Sequence, residues 1–367
     1  MRGGHMLKIN GFVLGCLLSC QLLASPEVAK GFVLSQFASV PNARQMALSE
    51  NGTLFVGSRA LGKVHAVLPS GQVQAIASGL NMPSGLALNK NGDLYISAVN
   101  RIYRLANAQT AITKGPVTLD LLNGELPSAS HHGWKFIAFD PINGNLVVPV
   151  GAPCNVCLVY PQAGNTPFGT ILSLDINKLN QGELSYQILA QGVRNSVGFD
   201  WHPQTKQLWF TDNGRDWMGD DTPPCEINRI EQAGQHFGFP FKHGDFNETD
   251  ADILKAQPQD FTYVSPMVEI QAHSAPLGMM FYSGPIKRLQ GALLVAEHGS
   301  WNRTTPVGYR LSAYWFEGDK TSKHEVLVNW LVAGKKLGRP ADIAQAKDGS
   351  LLISDDAKGL IWQLRAI

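Results

Sequence analysis

From about Phe32 to the C-terminus, short apolar runs alternate with clusters of Gly, Asn, Asp and Pro. No stretch sustains the helical period of about 3.6 residues that an amphipathic helix would show. Short apolar runs bounded by turn residues are typical of β-strands. The pattern therefore predicts an all-β chain.

One unit recurs along this pattern. It consists of an apolar strand, in most copies an Asn-Gly or Asp-Gly turn, and a second apolar strand, at 44–48 and 54–56, 83–87 and 94–96, 134–137 and 146–148, 196–199 and 208–210, 277–280 and 293–295, and 340–343 and 351–353. Asn-Gly and Asp-Gly turns favour two-residue type I′ hairpins. Further apolar strands follow the units, at 64–67, 102–105, 170–174, 227–230, 311–315 and 360–364.

Six such units at a spacing of roughly 40 to 65 residues are the signature of a β-propeller. We predict a six-bladed β-propeller with four-stranded antiparallel blades, formed by one domain over residues 25–367. In such a fold the innermost strand of each blade runs along a central channel, and the loops at one end line a funnel. A ligand site is expected on this axis.

The composition excludes one class of partner. Of the 367 residues only 16% are charged, and 30 Lys and Arg residues offset 29 Asp and Glu residues. A nucleic-acid-binding protein normally shows a basic surplus or stripe, and the sequence contains no such run. We therefore expect no nucleic-acid partner.

Residues 1–24 are predicted to be an export leader. Lys8 precedes an apolar run over 9–24 that is too short and too close to the chain end for a comfortable transmembrane span. Cleavage after Ala24 would give a periplasmic protein. The four residues ending at Cys20 loosely resemble a lipoprotein box, so that Cys20 could instead carry a lipid anchor to a bacterial membrane. A buried first helix is the structural alternative.

Five cysteines are present, and Cys16 and Cys20 lie within the predicted leader. In an oxidising compartment two of the other three are expected to pair. Cys154 and Cys157 are the local choice, although either could instead bridge to Cys225. A zinc site is a weaker interpretation, because the sequence has no second Cys-x-x-Cys pair.

The most acidic stretch of the chain is 208–228, where an apolar strand runs into a loop. The loop holds the acidic and amide residues Asp212, Asn213, Asp216, Asp220, Asp221 and Glu226. Arg215 is the only basic residue among them to offset the negative charge. Crowded carboxylates repel one another unless a cation or strong hydrogen-bond donors hold them together. Ca²⁺ takes carboxylate and backbone carbonyl oxygens from flexible loops, which makes calcium the first interpretation. The alternative is a solvated turn whose carboxylates cap backbone groups.

Polar side chains recur just before the first strand of the units, as Arg44, His131, His132, Arg194, Asn195, His273 and Arg339. A matching set follows the second strands and includes Arg59, the 151–157 loop, the acidic loop and residues 297–303. Several arginines at one end of the channel suit carboxylates. With a divalent cation nearby, the funnel would suit a polyanionic, metal-chelating cofactor.

His132 is the candidate general base. Neighbouring cations lower the pKa of an imidazole and keep it neutral, as a base requires. His131 would orient His132 or face the other way. A histidine in this position could instead be a satisfied core or rim residue.

Four segments together resemble a known family: 131–134 with 151–157, then 192–203, 211–228 and 297–303. In this order they are similar to the sorbosone dehydrogenase branch of the soluble glucose and aldose sugar dehydrogenases that use pyrroloquinoline quinone (PQQ). The resemblance covers roughly Phe32 to the C-terminus. It implies a six-bladed propeller in which PQQ lies over the channel and chelates Ca²⁺.

The resemblance also implies roles for individual residues. His132 matches the base that takes the substrate hydroxyl proton, and Arg194 with Asn195 matches the pair flanking the reactive quinone carbonyl. The remaining cofactor contacts that it suggests are Arg44 or Gln45, Arg339 and Arg303, with Arg303 in place of a family lysine that has no clear match. His131 and His273 are expected to contact the cofactor from their place before the first strands of their units. Calcium ligands are expected in the acidic loop, namely the Gly214 and Arg215 carbonyls, Asp220, Asp221 and Glu226.

The sequence departs from the glucose-oxidising members at His131, where they carry an acidic residue, and their sugar-pocket residues are not recognisable. We therefore hypothesise a PQQ- and Ca²⁺-dependent dehydrogenase of a sugar or sugar aldehyde that passes electrons to a respiratory acceptor. The alternatives are a propeller lactonase with Ca²⁺ in the channel and a non-catalytic sugar-binding propeller.

Overall fold

The structure is a computed structural model that describes Met1 and residues 24–367. The predicted leader, with Cys16, Cys20 and the proposed lipid anchor, lies almost entirely outside the described residues. Among the described residues, no helix has the length and apolar character needed to cross a bilayer.

Six antiparallel sheets form a six-bladed β-propeller, which confirms the predicted all-β fold. From the innermost strand outwards, blade 1 consists of Ala43–Leu48, Leu54–Ser58, Val64–Val67 and Val73–Ala77. Blade 2 consists of Gly85–Leu88, Leu94–Ser97, Ile102–Leu105 and Asp120–Asn123. Blade 3 consists of Ala138–Phe139, Leu146–Val150, Thr170–Leu174 and Tyr186–Gln191, with Gln235–His236 added in parallel at its outer edge.

Blades 4 to 6 follow the same plan. Blade 4 consists of Phe199–Trp201, Leu208–Asp212, Cys225–Arg229 and Val268–Ile270. Blade 5 consists of Pro276–Phe281, Leu293–Glu297, Arg310–Glu317 and Lys320–Asn329, and Glu27–Val28 pairs with its outer edge. Blade 6 consists of Pro340–Gln345, Leu351–Asp355, Leu360–Ala366 and, outermost, the N-terminal strand Phe32–Ser39.

Short elements complete the fold. The helices are one-turn segments at Ala108–Ala111, Ile176–Leu179 and Ala251–Leu254, with a 3₁₀ turn at Lys287–Leu289. Two small ribbons pair Lys242–His243 with Phe246–Asn247 and Leu331–Val332 with Lys335–Lys336.

The inner hairpins of blades 1, 2, 3 and 6 differ from the two-residue turns predicted. In blade 1 the amide of Ser49 donates to the carbonyl of Thr53, and the amide of Gly52 donates back to the carbonyl of Ser49. Only Gly52 of the turn residues has a positive φ, at 88°. The result is a three-residue loop with glycine in the left-handed position, another of the common hairpin loops. A type I′ turn would also have required Asn51 to be left-handed.

Apolar side chains fill the six spaces between neighbouring blades. One buried cluster between blades 5 and 6 contains Trp330 and Tyr309, and another between blades 3 and 4 contains Phe199 and Phe210. Corresponding clusters lie between the other pairs of blades. Burial of apolar area at about 25 cal/mol per Å² makes these interfaces the main stabilising contribution of the ring.

Polar side chains also link one inner strand to the next. The carboxylate of Asp342 in blade 6 accepts from the Met46 amide of blade 1 at 2.8 Å, and Asp200 in blade 4 accepts from the Phe281 amide of blade 5 at 2.7 Å. Gln45 accepts from the amides of Leu86 and Ile137, both at 3.0 Å. These bonds fix the inner strands relative to one another.

The first strands of blades 3 and 4 begin later than predicted, so residues 134–137 and 196–198 have no ladder partners. Here the chain passes very close to neighbouring backbone: a Cβ on Gly198 would lie 2.2 Å from the Leu277 carbonyl oxygen. Only glycine fits such an approach. These irregular segments directly follow His132 and Asn195.

Candidate functional site

A polar cavity of about 380 Å³ opens at one end of the central channel. Its wall comes from loops of blades 1, 3, 4, 5 and 6, and it is lined by Arg44, Arg59, His131, His132, Trp134, Arg194, Asn195, Asn213, Gly214, Asp216, Cys225, His273, Ala275, Leu277, His298, Trp301, Asn302 and Arg339. Leu277 belongs to a small apolar cluster with Val197 and Ala341 on the inner strands. This cluster lies along the channel next to the cavity.

His132 is buried in the wall with one ring nitrogen fixed. Its Nδ1 lies 2.9 Å from the carbonyl oxygen of Ala152. A carbonyl only accepts, so Nδ1 carries the proton and Nε2 is the basic nitrogen. Burial, together with the positive charges of Arg194 and His131, lowers the pKa of His132 to about 2. The imidazole is therefore neutral over the physiological pH range.

His131 lies beside His132, with ring centroids 4.1 Å apart. It is exposed, and partial burial and Arg194 lower its pKa, while Asp216 opposes the shift. His132 adopts a left-handed backbone with φ of 50°. Its Cβ and carbonyl are so close to Gly151 that a side chain there would clash, at 2.6 and 2.9 Å.

Arg194 is the most heavily bonded side chain of the cavity. Its Nε donates to the Asn155 carbonyl at 2.9 Å, and Nη1 donates to the Asn213 carbonyl at 3.1 Å. Its Nη2 donates to Asn155 Oδ1 at 2.7 Å and to Asp216 Oδ2 at 2.9 Å. A guanidinium held at all three nitrogens has one fixed orientation, and because four of its five N–H groups are engaged, one Nη1–H is left to donate to a ligand.

A buried carboxylate positions the backbone at Arg194 and Asn195. Asp212 accepts from the amide of Arg194 at 2.8 Å and from the amide of Asn195 at 2.6 Å. Asp212 is paired with Glu226 across the blade 4 ladder. Burial and the neighbouring Asp212 charge raise the pKa of Glu226, so that Glu226 carries the proton of this pair.

A second network joins blades 1, 5 and 6. Asp356 accepts from Arg44 at 2.9 Å and from His298 Nε2 at 2.8 Å. Burial lowers the pKa of His298 to about 4, so its Nε2–H donates as a neutral imidazole. Arg339 donates to the carbonyls of His298 and Gly299 at 3.2 and 2.8 Å. Both arginines are thereby held at the cavity wall.

Arg59 is a cavity residue that the assignment of cofactor contacts missed. Its guanidinium lies over the ring of Trp134, with Cζ 4.1 Å from the ring centroid. Within the described part of the chain its guanidinium makes no hydrogen bond to a carboxylate, and burial and the Arg44 charge lower its pKa. Arg59 directly follows the second strand of blade 1, where the matching polar set lies, and this position in the sequence could have identified it as a cavity residue.

Residues 302–304 donate hydrogen bonds to the side chains and a carbonyl of the acidic loop. Arg303 Nη2 donates to Asp221 Oδ1 at 2.6 Å, and a second guanidinium nitrogen donates to the Asp220 carbonyl. Asp220 also accepts from the amide of Thr304 at 3.2 Å. Closer to the cavity, Asn302 donates to Asp216 Oδ1 at 2.7 Å. We call this set of contacts between residues 216–221 and 301–304 the loop zipper.

The structure therefore separates the residues assigned to calcium. Gly214 lines the cavity, whereas the Arg215 side chain pairs with Glu248, and Asp220 and Asp221 join the loop zipper. Glu226 accepts from the Gly244 amide at 2.7 Å on another side of the loop. Among the described residues, no group of three or more His, Cys, Asp or Glu side chains is placed to hold a metal.

The residues assigned to the cofactor are mostly together. Arg44, His131, Arg194, Asn195, His273 and Arg339 line the cavity with His132. His273 donates from Nε2 to the Gly219 carbonyl at 2.7 Å and so supports the acidic loop from blade 5. Gln45 and Arg303 do not line the cavity, because Gln45 links inner strands and Arg303 belongs to the loop zipper.

The cysteines also bear on the site. Cys154 and Cys157 form a disulfide, and Cys225 is a free, buried thiol, so the local pairing is the one adopted. The disulfide flanks Asn155, whose carbonyl and Oδ1 both accept from Arg194. It thus closes the loop that orients the guanidinium.

A family model described as TrAA12-like matches residues 26–366. The chain belongs to the TrAA12-like family. This TrAA12-like chain is also 33% identical over 361 residues to an uncharacterized protein of Borreliella burgdorferi, covering 94% of the chain and 92% of that protein.

Solved structures share the fold of the TrAA12-like chain at lower identity. The calcium structure of a family AA12 carbohydrate-active enzyme from Trichoderma reesei is 20% identical, with a TM-score of 0.78 and coverage of 93% and 97% of the two chains. The holo form of the PQQ domain of a pyranose dehydrogenase from Coprinopsis cinerea is 17% identical, with a TM-score of 0.75 and coverage of 93% and 97%. The PQQ-bound form of an aldose sugar dehydrogenase from Streptomyces coelicolor is 17% identical, with a TM-score of 0.66 and coverage of 93% and 100%.

Proposed function

We propose that this TrAA12-like protein is an exported, PQQ- and Ca²⁺-dependent dehydrogenase that oxidises a sugar or sugar aldehyde. The fold neighbours named above include a PQQ-bound aldose sugar dehydrogenase and the PQQ domain of a pyranose dehydrogenase. The observation that carries the proposal is His132: a buried, neutral imidazole on the cavity wall, whose Nδ1–H is fixed on the Ala152 carbonyl and whose Nε2 is left basic.

The cavity fits an anionic cofactor. Four arginines line it, Arg44, Arg59, Arg194 and Arg339, whereas Asp216 is the only acidic residue among the lining side chains. Among residues 24–367 the buried Nε1 of Trp134 has no hydrogen-bond partner, and the Arg59 guanidinium donates to no carboxylate. Donors of this kind are suited to the carboxylates and carbonyls of PQQ.

The cavity also offers oxygens that suit a hard cation. Within the part of the chain that the structure describes, the buried side-chain oxygens of Asn195, Asn213 and Asn302 all lack hydrogen-bond donors, and all three residues line the cavity with Gly214. Ca²⁺ binds amide and carbonyl oxygens as well as carboxylates. We therefore propose amide and backbone oxygens, rather than the carboxylates of the acidic loop, as the protein's contribution to the Ca²⁺ site.

When bound, the quinone supplies the hydride acceptor and Ca²⁺ supplies a Lewis acid that stabilises developing negative charge. His132 Nε2 takes the proton of the substrate hydroxyl, or of the hydrated form of an aldehyde, as the carbonyl forms. Burial is the main reason that the pKa of His132 is low, and carboxylates held beside Arg194 would remove the second cause, the arginine charge, and so raise this pKa. Arg194 stays fixed by Asp216 and Asn155 throughout.

The cavity lining does not favour the lactonase alternative. A lactonase of this fold would need side-chain carboxylates and Asn from several blades to converge on a metal in the channel. The described residues bring asparagines to the cavity, but its one lining carboxylate, Asp216, already accepts from Arg194 and Asn302, and no group of three His, Cys, Asp or Glu side chains is placed to hold a metal. Reduction of a respiratory acceptor and export through the leader remain part of the proposal.

The test is a titration of the metal-stripped protein with PQQ, with Ca²⁺ or with chelator, that follows cofactor absorbance and dye reduction by aldoses and sugar aldehydes. We expect calcium-dependent binding and substrate-dependent reduction. His132→Gln should bind PQQ as the wild type does but reduce dye at least about 100-fold more slowly, the usual contribution of a general base. His324→Gln, at an exposed histidine of the blade 5 outer strand outside the cavity lining, is the matched control. Absence of binding at micromolar PQQ would refute the proposal.

A further inference from the structure

Two tryptophans at the cavity mouth are exposed and touch each other. The chain has eight tryptophans, and only Trp217 and Trp301 are exposed, at 70% and 63%. Their ring centroids lie 5.3 Å apart at an angle of 85°, so one ring presents its edge to the face of the other. Trp301 lines the cavity. Large exposed aromatic surface of this kind commonly marks a binding site.

The fold holds this pair in place although neither ring is buried. Trp217 follows Asp216 and Trp301 precedes Asn302 in the sequence. The Asn302 side chain donates a hydrogen bond to Asp216 Oδ1 at 2.7 Å, so the loop zipper holds the two tryptophans next to each other. Arg303 and Asp221 close the zipper on the other side at 2.6 Å. Trp217 has a φ of 70°, a conformation that is costly for a bulky residue and that the zipper maintains.

We propose that Trp217 and Trp301 form an aromatic subsite for a sugar ring, one unit further out than the ring that reacts at His132. Pyranose rings have one apolar C–H face that packs on an aromatic ring, and polar edges that need hydrogen-bond donors. Asp216 and Asn302, the chain neighbours of the two tryptophans, supply polar groups beside the pair. The inference rests on the proposed function for the reacting ring, and it identifies the substrate class as the end of an oligosaccharide or a glycoside rather than a free monosaccharide.

The experiment is calorimetric binding of glucose, cello-, malto- and chito-oligosaccharides of one to five units to the full chain, with and without PQQ and Ca²⁺. We expect one series to bind at least about tenfold more tightly at two or three units than at one unit. Trp217→Ala and Trp301→Ala should reduce this ratio below about twofold, and Trp217→Phe should restore part of it. Phe37→Ala, at an exposed aromatic of the blade 6 outer strand, is the control that keeps the ratio.

Two outcomes would overturn the subsite. One is a wild-type protein whose affinity does not depend on chain length in any series, or that binds no saccharide. The other is a Trp301→Ala variant that loses PQQ binding while the chain-length ratio is kept, because Trp301 would then cover the cofactor. Length-dependent binding without dye reduction would instead refute the proposed dehydrogenase and leave the subsite standing, so the two failures are distinguishable.

Discussion

Arg194 and Asp216 form an ion pair at 2.9 Å at the boundary between the acidic loop and the cavity, and the arginine side chain is only 4% exposed. Asp216 also accepts from Asn302, so this carboxylate joins the guanidinium to the loop zipper. The cavity wall and its rim are thus one connected network.

Arg194→Lys is expected to lose most of the activity, because an ammonium cannot reproduce donation from three nitrogens to Asn155, Asn213 and Asp216.

Arg194→Ala should lower the free energy of unfolding by about 3–5 kcal/mol, since it leaves partly buried Asp216 unpaired. Denaturant unfolding of Arg194→Ala, Asp216→Ala and the double variant measures the coupling. A double variant as unstable as the sum of the singles would contradict a direct interaction.

Reduction of the Cys154–Cys157 disulfide should weaken PQQ binding and lower activity, because the disulfide fixes the loop that presents Asn155 to Arg194. The chain-entropy effect of so short a loop is about 2 kcal/mol at most. Comparison of the Cys154→Ser/Cys157→Ser variant with Cys225→Ser separates the loop effect from loss of a thiol. Wild-type PQQ affinity in the double variant would argue against a role for this loop.

Asp342 should make stability depend on pH. Burial raises its pKa to about 7, above the unfolded value of about 3.9. Folding therefore takes up a proton between these values, and the stabilisation present at pH 4 is lost as the pH rises through about 7, by an amount on the order of a few kcal/mol.

Asp342→Asn removes this titration and keeps an oxygen to accept from the Met46 amide. Its melting temperature should exceed that of the wild type by more at pH 8 than at pH 5. Asp348 is exposed and hydrogen-bonded to Ser350, which lowers its pKa, so its contribution is lost only as the pH falls below about 4 and Asp348→Asn should show no difference between pH 5 and pH 8. Equal pH profiles for the wild type and Asp342→Asn would disprove the assignment.

Arg303→Ala should open the loop zipper, since Arg303 is the main cation that offsets Asp221 and the Asp220 carbonyl. We expect faster hydrogen exchange in residues 216–221 and weaker PQQ binding, with a small stability loss of about 1 kcal/mol because Asp221 is 84% exposed. Arg365→Ala, near the C-terminus in blade 6, is the control. Unchanged exchange in the acidic loop would contradict the assignment.

The sequence predicted the fold because each blade repeats a local pattern: apolar strands, a glycine turn, and polar residues before the first strand. The same repetition placed His132, Arg194 and Arg339 at one end of the ring. The hairpin type was wrong in blades 1, 2, 3 and 6. Asn51, Asn91 and Asp348 precede the glycine in three-residue loops and Asn143 does so in a four-residue loop, and the sequence does not distinguish these from two-residue loops.

The placement of Gln45, Arg303 and the acidic residues could not be predicted in the same way. Successive strand residues point to different sides, so Gln45 need not share the direction of Arg44. Arg303 lies 82 positions from Asp221 in the sequence, and composition does not reveal which loops meet across a ring. The excess of carboxylates in the acidic loop predicted a cation beside it, but it did not show that Arg303 provides the positive charge at Asp221.

The outermost position of Phe32–Ser39 in blade 6 has a consequence for biogenesis. This strand pairs with Leu360–Ala366 of the same blade, so the ring cannot close before both strands are available. Contacts between residues so distant in sequence form slowly, because a long loop must first be closed. We therefore expect the closure of this one seam to be a late step in folding, on which the completion of the whole ring depends.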